Sequence, residues 1–145
     1  MTKGQIPKIF FKWGLVFLFL FAADQTAKQF AVHLFLNNQF AFSLPLPTAL
    51  MYLIYAVILV CIFVYCVKHF SKFSNLQIFA WLLILSGAVS NIGERIVLGY
   101  VRDFIYISFY KWTGIYNVAD GYIIAGIILL LMKNVNIKVK NDSVK

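Results

Sequence analysis

Apolar residues come in four long runs along this chain, and most of the charge lies outside them, in the connections and at the two ends. The runs cover roughly 9–28, 48–67, 73–93 and 112–132. Each is close to the ~20 residues that cross a bilayer as a helix. The second run has no charged residue and the fourth has only Asp120. Lipid leaves helices and closed barrels as the only spanning structures. Runs this long argue against the short alternating strands of a barrel. The pattern predicts an all-α membrane protein, built as a four-transmembrane-helix bundle. Between the runs, residues 32–36 and 101–107 are β-prone, so a small extracytoplasmic sheet is expected as well.

The charges orient the bundle. Lys3, Lys8, Lys12, Lys68, Lys72, Lys133, Lys138, Lys140 and Lys145 flank the apolar runs. By the positive-inside rule, both termini and the 68–72 connection are cytoplasmic. Segments 29–47 and 95–116 then face the other side. The second of these carries Tyr100, Tyr106, Tyr110, Trp112 and Tyr116, as an interfacial aromatic belt does. A single membrane domain over 1–133 and a polar, mobile cytoplasmic tail over 134–145 follow from this layout. A cleavable signal peptide is the competing reading of the N-terminus. Phe21 at the −3 position fits a small-x-small site poorly, and cleavage leaves an odd number of spans.

Composition agrees. Of 145 residues, 62% are hydrophobic and only 12% charged, well away from a soluble domain. The net charge of +8 sits at span ends, so it reports topology and not a nucleic-acid surface. Membrane lipids are the expected surroundings, and a monomer is the expected state. Cys61 and Cys66 lie in an apolar run without His or acid beside them and read as buried thiols.

Five acidic residues remain: Asp24, Glu94, Asp103, Asp120 and Asp142. Ionisable groups inside a membrane are costly and mark function by default. Lys12 to Asp24 and Asp120 to Met132 each span about 18 Å of helix, which puts both aspartates in the outer half of the hydrocarbon layer. Lys72 to Glu94 spans about 33 Å, which puts Glu94 at the outer surface. Gly87, Asn91 and Glu94 share a helix face, as do Asn117 and Asp120. The plainer readings are a small-residue packing stripe for the first set and a salt bridge from Asp120 to Arg95 or Arg102. Asp24 and Lys28, four apart, suit a structural ion pair, and Glu94 is expected to pair with Arg95 or a polar neighbour.

Two carboxylates brought together share one proton, because like charges at close range cannot both ionise. Such a pair can activate water and polarise a carbonyl at once. Asp103, on a loop, and Asp120, on a helix, are the pair best placed to converge. His33 and His69 fall on opposite sides, and the chain has neither HExxH nor a P-loop, so no metal and no cofactor is expected. A serine mechanism through Ser86, or through Ser43 with Lys28 as base, lacks its usual motif. A proton-coupled transporter using Asp24 and Asp120 is the alternative from another class. A catalytically dead binding scaffold is a third.

Five blocks carry a resemblance: DQTAK (24–28), NNQFAFS (37–43), SGAVSNIGER (86–95), VRDF (101–104) and YNVADGYI (116–123). In order and spacing they resemble the lipoprotein signal peptidases, or signal peptidase II, over about residues 8–132. The resemblance implies an aspartyl endopeptidase of the bacterial cytoplasmic membrane. Its substrate is a prolipoprotein whose cysteine already bears diacylglycerol, and it cuts just before that cysteine. It implies Asp103 and Asp120 as the catalytic dyad. It places Asn91, Arg95 and Asn117 around the dyad, and Asp24, Lys28 and Asn37 near the substrate groove. A small sheet and a short helix over the site are implied too. The chain departs from the family pattern at Ser86 and Ser90, which replace glycines, at Glu94, which replaces Asp, and at Gln39, which replaces Gly.

Overall fold

The structure, a computed structural model, describes residues 5–39 and 46–142. Four helices dominate: α1 (Gln5–Phe30), α2 (Thr48–His69), α3 (Asn75–Leu98) and α4 (Val118–Asp142). Four short strands accompany them: β1 (Phe35–Asn37), β2 (Val101–Asp103), β3 (Ile105–Phe109) and β4 (Trp112–Tyr116). Among the described residues, α2 with its following 3-10 turn and α3 are long and apolar enough to cross a membrane by length and composition.

α3 is the axis of the molecule and packs most extensively against α4, then α1. Its start is fixed by a capping box: Ser74 Oγ accepts from Gln77 N, and Gln77 Oε1 accepts from Ser74 N. Lys133 of α4 donates to both Ser74 Oγ and Gln77 Oε1, which ties the second half of α4 to the start of α3. The helix ends at Gly99, whose φ of 83° is the left-handed cap that glycine adopts without strain. Close approach needs Gly87 and Gly126. A Cβ on Gly87 would run into the Ala119 carbonyl, and one on Gly126 would lie 2.6 Å from the Ala80 carbonyl.

The strands form two antiparallel pairs. β1 pairs with β2, Phe35 opposite Asp103 and Asn37 opposite Val101. β3 and β4 form a hairpin from Ile105–Tyr116 to Phe109–Trp112. Tyr110, in its two-residue turn, takes a positive φ of 54°. Phe104 N donates to Tyr116 O at 2.8 Å, which fastens the residue after β2 to the end of β4, just before α4.

Several expectations are corrected. The run from 112 does not begin a helix. Residues 112–116 pair as β4, and α4 starts only after Asn117. The aromatic and β-branched residues that made this segment look apolar are strand formers. α3 continues past 93 to Leu98, because nothing before Gly99 stops it. Residues 134–142 of the polar tail are helical and prolong α4, with no glycine or proline after Gly126 to break it. Cys61 is exposed and Cys66 half-buried, so neither is a core thiol; α2 buries little of its surface. Segment 40–45, where Ser43 and part of the second block fall, lies outside the described residues.

Candidate active site

Asn117 is the hinge of the site. It is the residue before α4, and its Oδ1 accepts from Asp120 N at 3.0 Å. The Asp120 carboxylate reaches back to Asn117 N, also at 3.0 Å. This is a capping box with Asp as its third residue, so the same two bonds that start the helix also fix Asp120. The remaining group of Asn117, its Nδ2, donates to Asp103 Oδ1 at 2.6 Å. One buried amide thus holds both aspartates from between.

Each aspartate has a second amide. Asn37 Nδ2 donates to Asp103 Oδ2 at 3.0 Å, carried there by the β1–β2 pairing. Asn91 Nδ2 donates to Asp120 Oδ1 at 2.8 Å, from the face of α3 it shares with Gly87. Asp103 is buried, and burial raises its pKa above the usual carboxylate value; the bonds from Asn37 and Asn117, then Arg95 and Lys28, oppose the rise. Among the described residues, neither Asp103 nor Asp120 makes an ion pair. Asp120 is therefore not the salt-bridge partner of Arg95 or Arg102.

Beneath the two aspartates lies a layer of buried charge. Asp24 and Lys28 are both 0% exposed and pair at 2.8 Å. Lys28 Nζ also donates to Asn91 Oδ1 at 2.9 Å and pairs with Glu94 Oε2 at 3.2 Å. All three ammonium protons have acceptors. Asp24 in turn accepts from Ser90 Oγ at 2.5 Å and from Ala119 N at 2.7 Å. A carboxylate of α1 thus caps the first turn of α4, where the helix dipole favours negative charge. Asp24 and Lys28 are fully buried, and Lys28 reaches Asp120 through Asn91, so both support the aspartates from within the bundle.

Glu94 holds the other limb. Its two oxygens take Arg102 Nε at 2.7 Å, Arg102 Nη2 at 2.6 Å and Arg102 N at 3.0 Å. Of the expected partners, Arg95 or a polar neighbour, Arg95 is elsewhere, because successive residues on a helix point in different directions. Arg95 donates to Gln39 O at 3.0 Å and lies over the Tyr55 ring. Gripping both backbone and side chain of Arg102 places the next residue, Asp103. Gln25 joins the limbs, donating to Ser90 Oγ at 2.8 Å and accepting from Arg102 Nη2 at 3.1 Å. Sequence reasoning missed Gln25 and the Ser90 bond. The one available signal was that Gln25 adjoins Asp24 and Ser90 adjoins Asn91. Ser86, by contrast, bonds the Leu83 carbonyl of its own helix.

The sequence model of the family described as Signal peptidase (SPase) II matches residues 5–136. A lipoprotein signal peptidase of Caldicellulosiruptor bescii is 38% identical over 94 residues, covering 65% of this chain and 59% of its own length. One of Buchnera aphidicola subsp. Schizaphis graminum is 35% identical over 83 residues, 57% of this chain and 53% of its own. The chain spans about half the length of the curated relatives it matches. A solved bacterial membrane enzyme superimposes with a TM-score of 0.70 at 22% identity, covering 86% of this chain and 88% of the other.

Proposed function

The chain belongs to the signal peptidase II family, and from that premise we propose that it is a membrane aspartyl endopeptidase. Its substrate is a prolipoprotein whose lipobox cysteine carries diacylglycerol, and it cleaves the peptide bond just before that cysteine. Asp103 and Asp120 are the dyad. The observation that carries this reading is Asn117, which bonds Asp103 through its side chain and Asp120 through its backbone.

The chemistry needs one proton on the pair. The ionised carboxylate takes a proton from water as the oxygen attacks the carbonyl carbon, while the protonated carboxyl donates to the carbonyl oxygen. The tetrahedral intermediate then collapses. The C–N bond breaks, the leaving amine of the cysteine takes the proton removed from water, and the proton on the former carbonyl oxygen returns to its carboxylate, restoring one proton to the pair. The charge layer supports this state. Lys28, Arg95 and Arg102 face Asp24, Glu94, Asp103 and Asp120, so one retained proton brings the cluster to neutrality.

Four spans with both termini cytoplasmic and the dyad near the extracytoplasmic face complete the proposal. Residues 1–133 form one membrane domain in it and 134–145 a cytoplasmic tail. The distribution of polarity supports immersion. Among the described residues, the most deeply buried side chains include Lys28, Asp24, Asn117, Ser86 and Ser90, whereas Phe11, Phe19, Leu53 and Val60 are at least half exposed. Such an inversion suits lipid, which has no reason to expel apolar surface. The transporter reading is less well supported, since Asp24 is fixed by Lys28, Ser90 and Ala119 N.

The test is the purified protein with a synthetic diacylglyceryl prolipoprotein peptide. Asp103→Asn and Asp120→Asn should each lower cleavage by about 10²–10⁴-fold. Cleavage that survives in both single variants would reject the dyad. A topology reporter placing residue 111 in the cytoplasm would reject the orientation.

A further inference from the structure

A chain of hydrogen bonds joins the residue before Asp103 to the residue before Asp120. Arg102 Nη2 donates to Gln25 Oε1 at 3.1 Å. Gln25 Nε2 donates to Ser90 Oγ at 2.8 Å. Ser90 Oγ donates to Asp24 Oδ2 at 2.5 Å. The other oxygen of Asp24 accepts from Ala119 N at 2.7 Å. Arg102 precedes Asp103 in β2, and Ala119 precedes Asp120 in α4. The route between them runs through α1, α3 and α1 again. Helices that carry neither aspartate thus hold the neighbour of each.

Donors and acceptors along the route fit one direction. A serine hydroxyl has a single proton. Ser90 gives it to Asp24 and keeps its oxygen for Gln25. The Gln25 amide then turns its oxygen to Arg102. Asp24 and Ala119 are 0% exposed and Ser90 1%. With water excluded each bond is stronger and polarises the next, and no solvent stands in for a lost link. Glu94 also holds Arg102, but against α3 alone. Gln29, one turn beyond Gln25 on α1, accepts from Arg102 Nη1 at 3.3 Å. Ser90 is the joint of the route, and removing its hydroxyl cuts the chain in the middle.

We propose that this chain is a brace that sets the separation of Asp103 and Asp120, with Ser90, Gln25 and Arg102 as positioning residues. The inference rests on the peptidase reading above and adds what keeps the two carboxylates at working distance. Among the described residues, the side-chain donors to these carboxylates are Asn37, Asn91 and Asn117, and none belongs to the brace. Loss of a link therefore acts by displacement, and a 1 Å displacement of a reacting group costs about 10²-fold in rate.

The test uses the full chain in detergent with the diacylglyceryl prolipoprotein peptide. Ser90→Ala and Gln25→Met should each lower kcat by about tenfold to 10²-fold with KM nearly unchanged. The double variant should be no slower than the slower single one, because a chain cut twice is no more broken than a chain cut once. Ser86→Ala is the packing control. Ser86 is as buried as Ser90, one turn away on α3, and bonds the Leu83 carbonyl of its own helix. Its loss should leave kcat within severalfold of wild type. Unchanged kcat in both single variants, losses that multiply in the double variant, a loss carried by KM, or an equal loss in Ser86→Ala each overturn the brace.

A second readout needs no substrate. Nitroxide labels at Ile105→Cys and Gly121→Cys, in a chain with Cys61→Ala and Cys66→Ala, report the distance between the β-strand side and the α4 side of the pair. Both sites are exposed, and a side chain at Gly121 meets nothing within 4 Å. The distance should lengthen or spread in Ser90→Ala and Gln25→Met and stay as in wild type in Ser86→Ala. A distribution unchanged in the first two overturns the brace. Wild-type protein that leaves the peptide uncut rejects the peptidase reading, and the label distances then decide the brace by themselves.

Discussion

Asn117 donates its side-chain amide to Asp103 at 2.6 Å. The same residue caps the helix that carries Asp120. The two roles use different atoms and can be separated. Asn117→Ser keeps an oxygen that can accept from Asp120 N but has no amide to give Asp103. Stability should fall by no more than about 0.5 kcal/mol, since serine caps nearly as well as asparagine. Cleavage should fall far more, by about 10²-fold or beyond, on the scale of a lost oriented donor. Asn117→Ala should lose the cap as well, adding about 1 kcal/mol of destabilisation. Thermal unfolding in detergent and initial rates on one preparation make the comparison. Equal rates for Asn117→Ser and wild type would remove Asn117 from the site.

The pH profile offers a second test. Burial raises the pKa of Asp103, and the bond from Asn37 is the first influence opposing that rise. A raised carboxylate pKa means the proton persists to higher pH and is lost as pH climbs through that value. Activity that needs one proton on the pair should therefore fall on the alkaline side. The two groups titrate as a unit, so the profile reports the pair. Asn37→Ala removes a donor that favours the ionised form. The alkaline limb of kcat/KM should move to higher pH in that variant. A shift to lower pH would contradict the assigned environment.

Lys28 sits between two carboxylates with no exposure at all, at 2.8 Å from Asp24 and 3.2 Å from Glu94. Lys28→Met leaves both partners under-compensated in a buried layer. The expected loss is about 3–5 kcal/mol, the scale for breaking a buried pair from one side. Adding Asp24→Asn should cost less than the sum of the two single changes, because the pair is then removed together. Strict additivity in unfolding free energies would show that the two are not coupled.

Two glycines separate packing from placement. A Cβ on Gly87 collides with the Ala119 carbonyl, one residue before Asp120. A Cβ on Gly126 lies 2.6 Å from the Ala80 carbonyl and 2.7 Å from Ile84 Cγ1, nearly two turns deeper. Both alanine variants should lose about 1–3 kcal/mol by overpacking. Gly87→Ala should also lose about 10²-fold in rate, since a 1 Å displacement of a reacting group has that effect. Gly126→Ala should keep a rate within severalfold of wild type. The ratio of rate loss to stability loss in the two variants decides it.

Ser90 distinguishes this chain from a glycine at the same place. Its hydroxyl gives Asp24 a bond at 2.5 Å and takes one from Gln25 at 2.8 Å. Ser90→Ala should cost about 1.5–3 kcal/mol, the value of a bond to a charged group. Unchanged stability would show that Lys28 and Ala119 N satisfy Asp24 by themselves.

Much of this was written into the order of residues. Long apolar runs announced helices, and the aspartates of VRDF and NVAD announced themselves, because charge is too expensive near lipid to be incidental. A periodicity of 3.6 put Asn91 and Glu94 on one face, since helix geometry is local. What the sequence left open was pairing across distance. Glu94 is followed by two arginines, one adjacent and one eight residues on, and only the turn at Gly99 swings Arg102 back to it. Asp24 and Ala119 are ninety-five residues apart, and no local rule links a side chain of one helix to the free N–H of another. The start of α4 was misread for the same reason. Residues 112–116 are apolar enough for a helix, and only their partners in β3 make them a strand. Short-range sterics and transfer from water fixed the elements and the candidate acids. Which donors those acids meet depended on how the helices pack, and that is a property of the whole chain.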